Sequence, residues 1–213
     1  MPMLLAPSFH WALPWALPRL APDAPPTPRP MTDPASSDAA LMALAGGGDR
    51  AAFNLLVGRH GERALRVALR ILGDAAEAEE VAQEAFLRAW QAAASFDPDR
   101  ARFTTWLHRI VVNLAIDRTR RRAGAPSAGL EAAVELADPG PGPEADAVAT
   151  EARAALAAAL GALPPRQRAA IALAYEQELS GAEAAAALEV SERALEGLLR
   201  RARQFLRSRL EGS

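Results

Sequence analysis

Between Ser180 and Arg207 the residue types suit contact with a polyanion. Arg193, Arg200, Arg201, Arg203 and Arg207 lie off an apolar set made of Leu195, Leu198, Leu199, Ala202, Phe205 and Leu206. That apolar set has the spacing of one face of an amphipathic helix. Ser191 stands where an N-cap belongs. A shorter, alanine-rich helix precedes it across a three-residue turn. The layout is that of a helix-turn-helix, whose second helix enters a major groove while its arginines reach phosphates and base edges. The competing reading is a solvated amphipathic helix in an ordinary bundle.

Two further groups are spaced for binding. Arg109, Asn113, Asp117 and Arg120 are four, four and three residues apart and share one helix face, with Arg118, Arg121 and Arg122 crowding the same C-terminal end. Arginine matches phosphate through its planar fork, and asparagine can pair with adenine. A solvated charged face that offsets the helix dipole is the alternative. In EAEEVAQEAFLRAW (Glu77–Trp90), Glu79, Glu80, Gln83 and Glu84 sit near one exposed face beside Phe86. An acidic face with an aromatic edge can dock a basic protein partner, although a plain amphipathic helix has the same pattern.

Catalytic arrangements are missing. No glycine-rich phosphate loop lies between a strand and a helix, and no Ser/His/Asp order has a supporting context. The chain has no cysteine, which excludes disulfides, thiolate metal sites and a cysteine nucleophile. His10, His60 and His108 form no ligand spacing. The reading is therefore a non-enzyme with no metal, no cofactor and no small-molecule substrate.

These groups must be positioned by helices. Half of the 213 residues are apolar but only 5% are aromatic, and alanine dominates. All 24 basic residues are arginine, and the net charge is −2. The distribution of charge says more than its sum. Asp97–Arg122 holds seven arginines and three aspartates, and Ser191–Ser213 holds six arginines and three glutamates. Ala123–Thr150 carries five acids and no base.

Residues 1–37 contain ten of the seventeen prolines and read as a disordered tail, with Met31 as an alternative start. The apolar stretch Met3–Leu20 is too broken for a membrane span or a signal peptide, so no membrane insertion is expected. Gly46–Gly48 reads as a flexible lead-in to a helix capped by Asp49, with Phe53, Leu56, Val57, Ala64, Val67, Ala68, Ile71 and Leu72 at helical spacing. Gly73 ends that helix and Asp74 caps the next, which carries Val81, Ala85, Phe86, Ala89 and Trp90 on one face. A third long helix starts near Ala101 with Phe103, Trp106, Leu107, Ile110, Val111 and Leu114 inward. After a Gly/Pro-rich, acidic linker over residues 123–149, helices are expected near Arg153–Leu163, Arg166–Glu178, Gly181–Leu188 and Glu192–Leu210. The fold class is all-α: two small helical bundles, 38–122 and 150–213, joined by that linker, with the helix-turn-helix in the second.

Taken in order, these segments resemble the bacterial RNA polymerase sigma factors of the extracytoplasmic-function group. GDRAAFNLLVGRHGERALRVALRIL resembles the opening helices of the family's promoter-melting domain, and EAEEVAQEAFLRAW its segment that docks on polymerase. FTTWLHRIVVNLAIDRTRRR resembles the helix that handles the −10 element. LPPRQRAAIALAYEQELSGAEAAAALEVSERALEGLLRRARQFLR resembles the domain that reads the −35 element. The resemblance implies polymerase docking by Glu79, Glu80, Gln83 and Phe86. It implies −10 contacts from Arg109, Asn113, Asp117, Arg120, Arg121 and Arg122. It implies −35 contacts from Ser191, Glu192, Arg193, Glu196, Arg200, Arg201, Arg203 and Arg207.

The loop around Phe96–Phe103 would take up a flipped-out base, although both phenylalanines read more readily as core. Implied partners are core RNA polymerase, promoter DNA and an anti-sigma factor, and the implied compartment is the cytoplasm. The chain departs from the family pattern at Glu189, where the turn commonly has glycine, and at Glu196 and Leu198, where basic residues are frequent. Ala182 and Ala184–Ala187 are smaller than typical, which predicts loose packing of the first helix of the motif. The rival reading is a stand-alone helix-turn-helix regulator acting without polymerase. A helical scaffold with no DNA role is a second rival.

Overall fold

Short polar residues set where the helices begin. The computed structural model describes residues 36–124, 153–176 and 179–211, and every regular element among them is helical. Ser37 caps α1 (Asp38–Gly46) and Asp49 caps α2 (Arg50–Leu72), the Asp49 carboxylate accepting from the Ala51 and Ala52 N–H groups. Each cap satisfies N–H groups that a helix start leaves without intrahelical partners. Gly73, in the left-handed conformation at φ 71°, ends α2, and its N–H returns to the Leu69 carbonyl. Asp74 then caps α3 (Ala75–Gln91), and a 3-10 turn over Ala93–Ser95 follows. The next helix, α4, is Phe103–Gly124. The expectations for Asp49, Gly73 and Asp74 hold, whereas α1 was not anticipated. Gly46 thus closes α1, and Gly47 and Gly48 make the turn between two helices, with Gly48 at φ 89°.

The helical periodicity becomes the core. Leu56, Ala64, Val67, Ala68 and Ile71 of α2 face Val81, Ala85 and Ala89 of α3 and Leu107 and Val111 of α4 across one apolar cluster. Each large aliphatic side chain buried there contributes about 1.5–3 kcal/mol. Asp38 ties α1 down: it accepts from Arg59 and from His60 Nε2, each at 2.7 Å. Phe96, Phe103 and Trp106 stack around the entry to α4, with centroids 5.2–6.1 Å apart.

The second set of helices starts within the helical segment 153–161, here α5. Pro164 and Pro165 open α6 (Pro165–Ala174), consistent with proline's tolerance at a first helical turn. The short α7 (Gly181–Ala187) has a reciprocal capping box: Ser180 Oγ accepts from the Glu183 N–H, and the Glu183 carboxylate accepts from the Ser180 N–H. Ser191 caps α8 (Glu192–Leu210) by accepting from the Ala194 N–H.

Ala184, Ala185 and Ala187 are buried, so the small residues of α7 allow close approach rather than loose packing. They approach α4, and α6 lies against both α2 and α4. The two helical sets therefore share a continuous apolar cluster. This explains why α4 is buried over more than the expected stripe: Val112, Ala115 and Ile116 are covered as well as Phe103, Leu107, Val111 and Leu114. The Pro-rich tail and most of the acidic linker lie outside the described residues.

Candidate nucleic-acid interface

Helix α8 separates its two faces cleanly. Leu195 and Ala202 are buried, and Leu198, Leu199, Phe205 and Leu206 are half-buried. The polar face is in solvent: Ser191, Glu192, Arg193, Glu196, Arg200, Arg201, Arg203 and Arg207 are all exposed. The Ser191 hydroxyl also spends an acceptor on its cap at 3.2 Å. Arg209 sits 5.8 Å above the Phe205 ring, a cation–π arrangement at the far end of the helix. A row of exposed guanidinium groups on one side of a helix is suited to phosphate contact.

The α4 face also forms as the spacing requires. Arg109, Asn113, Asp117, Arg120 and Arg121 are exposed along one side. Arg121 Nε donates to the Asp117 carbonyl at 3.4 Å. Its neighbours are engaged with α3: Arg122 donates to Glu77 at 2.9 Å, and Arg118 pairs with Glu80. Arg122, expected to face a DNA backbone, is therefore already ion-paired.

On α3, Gln83 and Glu80 are exposed and Glu79 is half-buried. Phe86 is not on that surface. It is buried and meets Phe53 edge-on, with centroids 6.3 Å apart. The helix period places it one turn after Ala82 and one turn before Ala89, within the inward row, and the large ring follows the core rather than the acidic side. Phe103 is likewise buried, and Phe96 is half-buried in the same aromatic cluster.

Several residues escaped the sequence reading. Arg168 is buried and donates to the Ile71 carbonyl at 2.7 Å, to the Leu163 carbonyl at 3.1 Å and to the Gly161 carbonyl. Its burial, with Arg122 nearby, lowers its pKa from the usual arginine range. Glu176 is buried with Arg66 and Arg63 at 3.9 and 4.0 Å. Arg102 meets Glu183 at 3.0 Å. Glu189 reaches Arg109 Nε at 3.2 Å and accepts from Asn113 Nδ2 at 3.4 Å. Hydrophobic periodicity carries no signal for the pairs that join helices far apart in sequence, such as Arg168 with Ile71 and Glu189 with Arg109.

His108 is buried on α4. Its Nδ1–H donates to the Thr104 carbonyl at 2.7 Å, and desolvation lowers its pKa, which favours the neutral ring. Among the described residues, no group of three or more His, Asp or Glu side chains is placed to hold a metal ion. No helix among them is long and apolar enough to cross a membrane.

Comparison with known proteins gives a consistent set of matches. The Sigma-70 region 2 family profile matches residues 56–124, and the Sigma-70 region 4 profile matches residues 153–206. The RNA polymerase sigma factor CnrH of Cupriavidus metallidurans is 39% identical over 187 residues, covering 84% of this chain and 97% of that protein. The ECF RNA polymerase sigma factor SigW of Bacillus subtilis is 34% identical, covering 76% of this chain and 91% of that protein. The solved structure of CnrH in complex with the cytosolic domain of CnrY superposes with a TM-score of 0.60 at 30% identity, over 84% of this chain and 99% of the other. The sigma factor RpoE of Bartonella quintana, solved in complex with the anti-sigma factor NepR, shares the fold with a TM-score of 0.55 at 20% identity, over 75% and 96% of the two chains.

Proposed function

Since the chain belongs to the RNA polymerase sigma-70 factors, in their extracytoplasmic-function group, we propose a division of labour among its helices for starting transcription at specific promoters. Residues 38–122 form the part that docks on core polymerase and handles the −10 element, and residues 150–213 form the part that reads the −35 element. Glu79, Glu80 and Gln83 of α3 supply the polymerase-docking surface. Phe86 supports that surface from within the core.

On α4, Arg109, Asn113, Asp117, Arg120 and Arg121 meet the melted −10 strand. Arg122 and Arg118 hold α4 against α3 through Glu77 and Glu80. On α8, the exposed front half (Ser191, Glu192, Arg193 and Glu196) faces base edges, while Arg200, Arg201, Arg203 and Arg207 hold phosphates. Phosphate contacts give affinity and register, and base-edge contacts give sequence preference.

The observation that carries this reading is the order of the two matched regions, each with an exposed arginine-bearing face. A stand-alone regulator would account for α8 but not for the region 2 match over residues 56–124. The chain itself catalyses no reaction, takes no cofactor, and works in the cytoplasm where polymerase is. An anti-sigma factor is inferred as a further partner because the solved relatives CnrH and RpoE were captured with CnrY and NepR.

The test is run-off transcription with purified core polymerase on promoter fragments adjoining the chain's own gene. A discrete transcript that requires the chain is the expected result. Failure to associate with core polymerase, or association without initiation from any such fragment, would overturn the reading. Tight binding of the isolated protein to a palindromic duplex would favour the stand-alone regulator.

A further inference from the structure

The arginine face of α8 carries one residue that works against affinity. Arg193, Glu196, Arg200 and Arg203 follow one another at intervals of three, four and three residues, so they share one side of the helix. All of them are exposed. A carboxylate set among guanidinium groups that meet phosphates repels those phosphates and offsets part of the electrostatic gain. That loss is regained only where the carboxylate finds a hydrogen-bond donor on the DNA.

Neither of two ordinary structural roles accounts for Glu196. Glu192 is the acidic residue of the first turn, where a carboxylate offsets the positive end of the helix dipole. Glu196 lies a full turn further on, where that effect has fallen away. An intrahelical ion pair is the other role. The chain pairs glutamate with an arginine four residues later at Glu62–Arg66 and at Glu84–Arg88. Glu196 and Arg200 have the same spacing, yet among the described residues Glu196 enters no ion pair or side-chain hydrogen bond. Its carboxylate is available to a partner outside the chain.

The base edges of a major groove offer such a group few donors. Guanine presents N7 and O6, both acceptors, and thymine presents O4 and a methyl group. Adenine presents its N6 amino group beside N7, whose lone pair repels a carboxylate. Cytosine presents its N4 amino group with no acceptor next to it on the same base. We propose that Glu196 is a base-selecting residue that accepts from the N4 amino group of a cytosine in the −35 element. Arg193, one turn earlier on the same face, donates to guanine O6 and N7 on that base pair or the adjoining one. The proposal rests on the assignment of α8 to the −35 element. It separates two properties of the helix: the arginines supply affinity, and Glu196 gives up some of it for discrimination.

The test uses the intact chain reconstituted with core polymerase. A promoter that this holoenzyme transcribes is randomised across its −35 region, and the bound duplexes are sequenced. Wild type should select cytosine at a position where Glu196→Gln selects adenine, because a glutamine amide matches adenine N6 and N7 together, and where Glu196→Ala shows no preference. Fluorescence anisotropy on matched duplexes should show wild type favouring cytosine over adenine there about fivefold, with Glu196→Gln reversing the order by a similar factor. Both variants lose the same charge, so both should bind unrelated duplex about twofold more tightly, and the difference between them isolates base reading. Glutamine and alanine are good helix formers and the position is exposed, so α8 is retained.

A cytosine preference that persists in Glu196→Ala, with tighter binding to every duplex, would overturn the proposal and leave Glu196 as a charge that only lowers affinity. Arg200→Ala with Arg203→Ala separates the two claims. If that pair weakens binding to all −35 sequences while the Glu196 variants keep the wild-type selection, α8 stays on the −35 element and only the cytosine contact fails. If the pair leaves −35 binding intact, the assignment of α8 fails, and the cytosine contact fails with it.

Discussion

Replacing Arg168 by methionine should weaken the fold by about 2–4 kcal/mol. The side chain makes three bonds to backbone carbonyls, of Ile71 at the end of α2 and of Gly161 and Leu163 in the approach to α6. Methionine fills a similar volume and offers no donor. Gly161 is exposed and its carbonyl regains water, whereas Leu163 and Ile71 are buried. Two buried carbonyls then lose a charged donor, at about 1–3 kcal/mol each. Part of this is offset because a desolvated guanidinium is no longer confined there.

For a chain of this size the loss corresponds to a melting temperature lower by roughly 5–15 °C. Urea unfolding followed by tryptophan fluorescence and by far-ultraviolet circular dichroism reads the effect with two probes. Arg168→Lys, with one compact ammonium in place of a fork, should fall between wild type and Arg168→Met. A midpoint for Arg168→Met within about 1 kcal/mol of wild type would refute the claim that these carbonyl bonds hold the junction.

Other expectations are open to direct measurement. Phe86→Ala should cost about 3–5 kcal/mol of stability, because the ring is buried against Phe53, while Gln83→Ala should leave stability within about 0.5 kcal/mol yet weaken polymerase binding. Denaturation curves and holoenzyme yield distinguish the two. Desolvation depresses the His108 pKa in the fold, so the unfolded chain takes up a proton that the folded chain refuses. Stability should be full above about pH 6.5, fall as the pH drops below that value, and level off below the folded pKa. His108→Asn, which keeps a donor near the Thr104 carbonyl but does not titrate, should flatten that slope in unfolding midpoints measured from about pH 5 to 7. Arg200→Ala with Arg203→Ala should weaken binding to a −35 duplex across sequences and reduce the salt slope by about two, read by fluorescence anisotropy at several salt concentrations.

The features legible in the sequence are those set by local chemistry. Asp49, Asp74 and Ser191 are caps because a short acceptor precedes an apolar-periodic run, and the structure has each of them bonded to the expected turn. Pro164 and Pro165 mark the start of α6 for the same local reason. The α8 stripe is legible because its leucines contrast with arginines. Alanine gives no such contrast: Ala184, Ala185 and Ala187 look uncommitted in sequence, and the approach of α4, α6 and α8 makes them core. Phe86 sits at a border position where acidic neighbours suggest a surface, and α2 decides otherwise. Arg168 and Glu189 are legible only as residue types, since the bond of Arg168 to Ile71 and that of Glu189 to Asn113 span 97 and 76 positions.

Gly46 ends α1 with its Cα hard against the 3-10 turn. A methyl group there would stand 3.0 Å from the Ala94 Cα and 3.2 Å from the Ala93 carbonyl oxygen. Those neighbours are main chain and cannot swing aside. The turn runs directly into Phe96 and the loop that leads to α4. The height of that loop above α1 is thus gauged by a single hydrogen atom, and even alanine at position 46 would act as a shim, tilting the lead into α4.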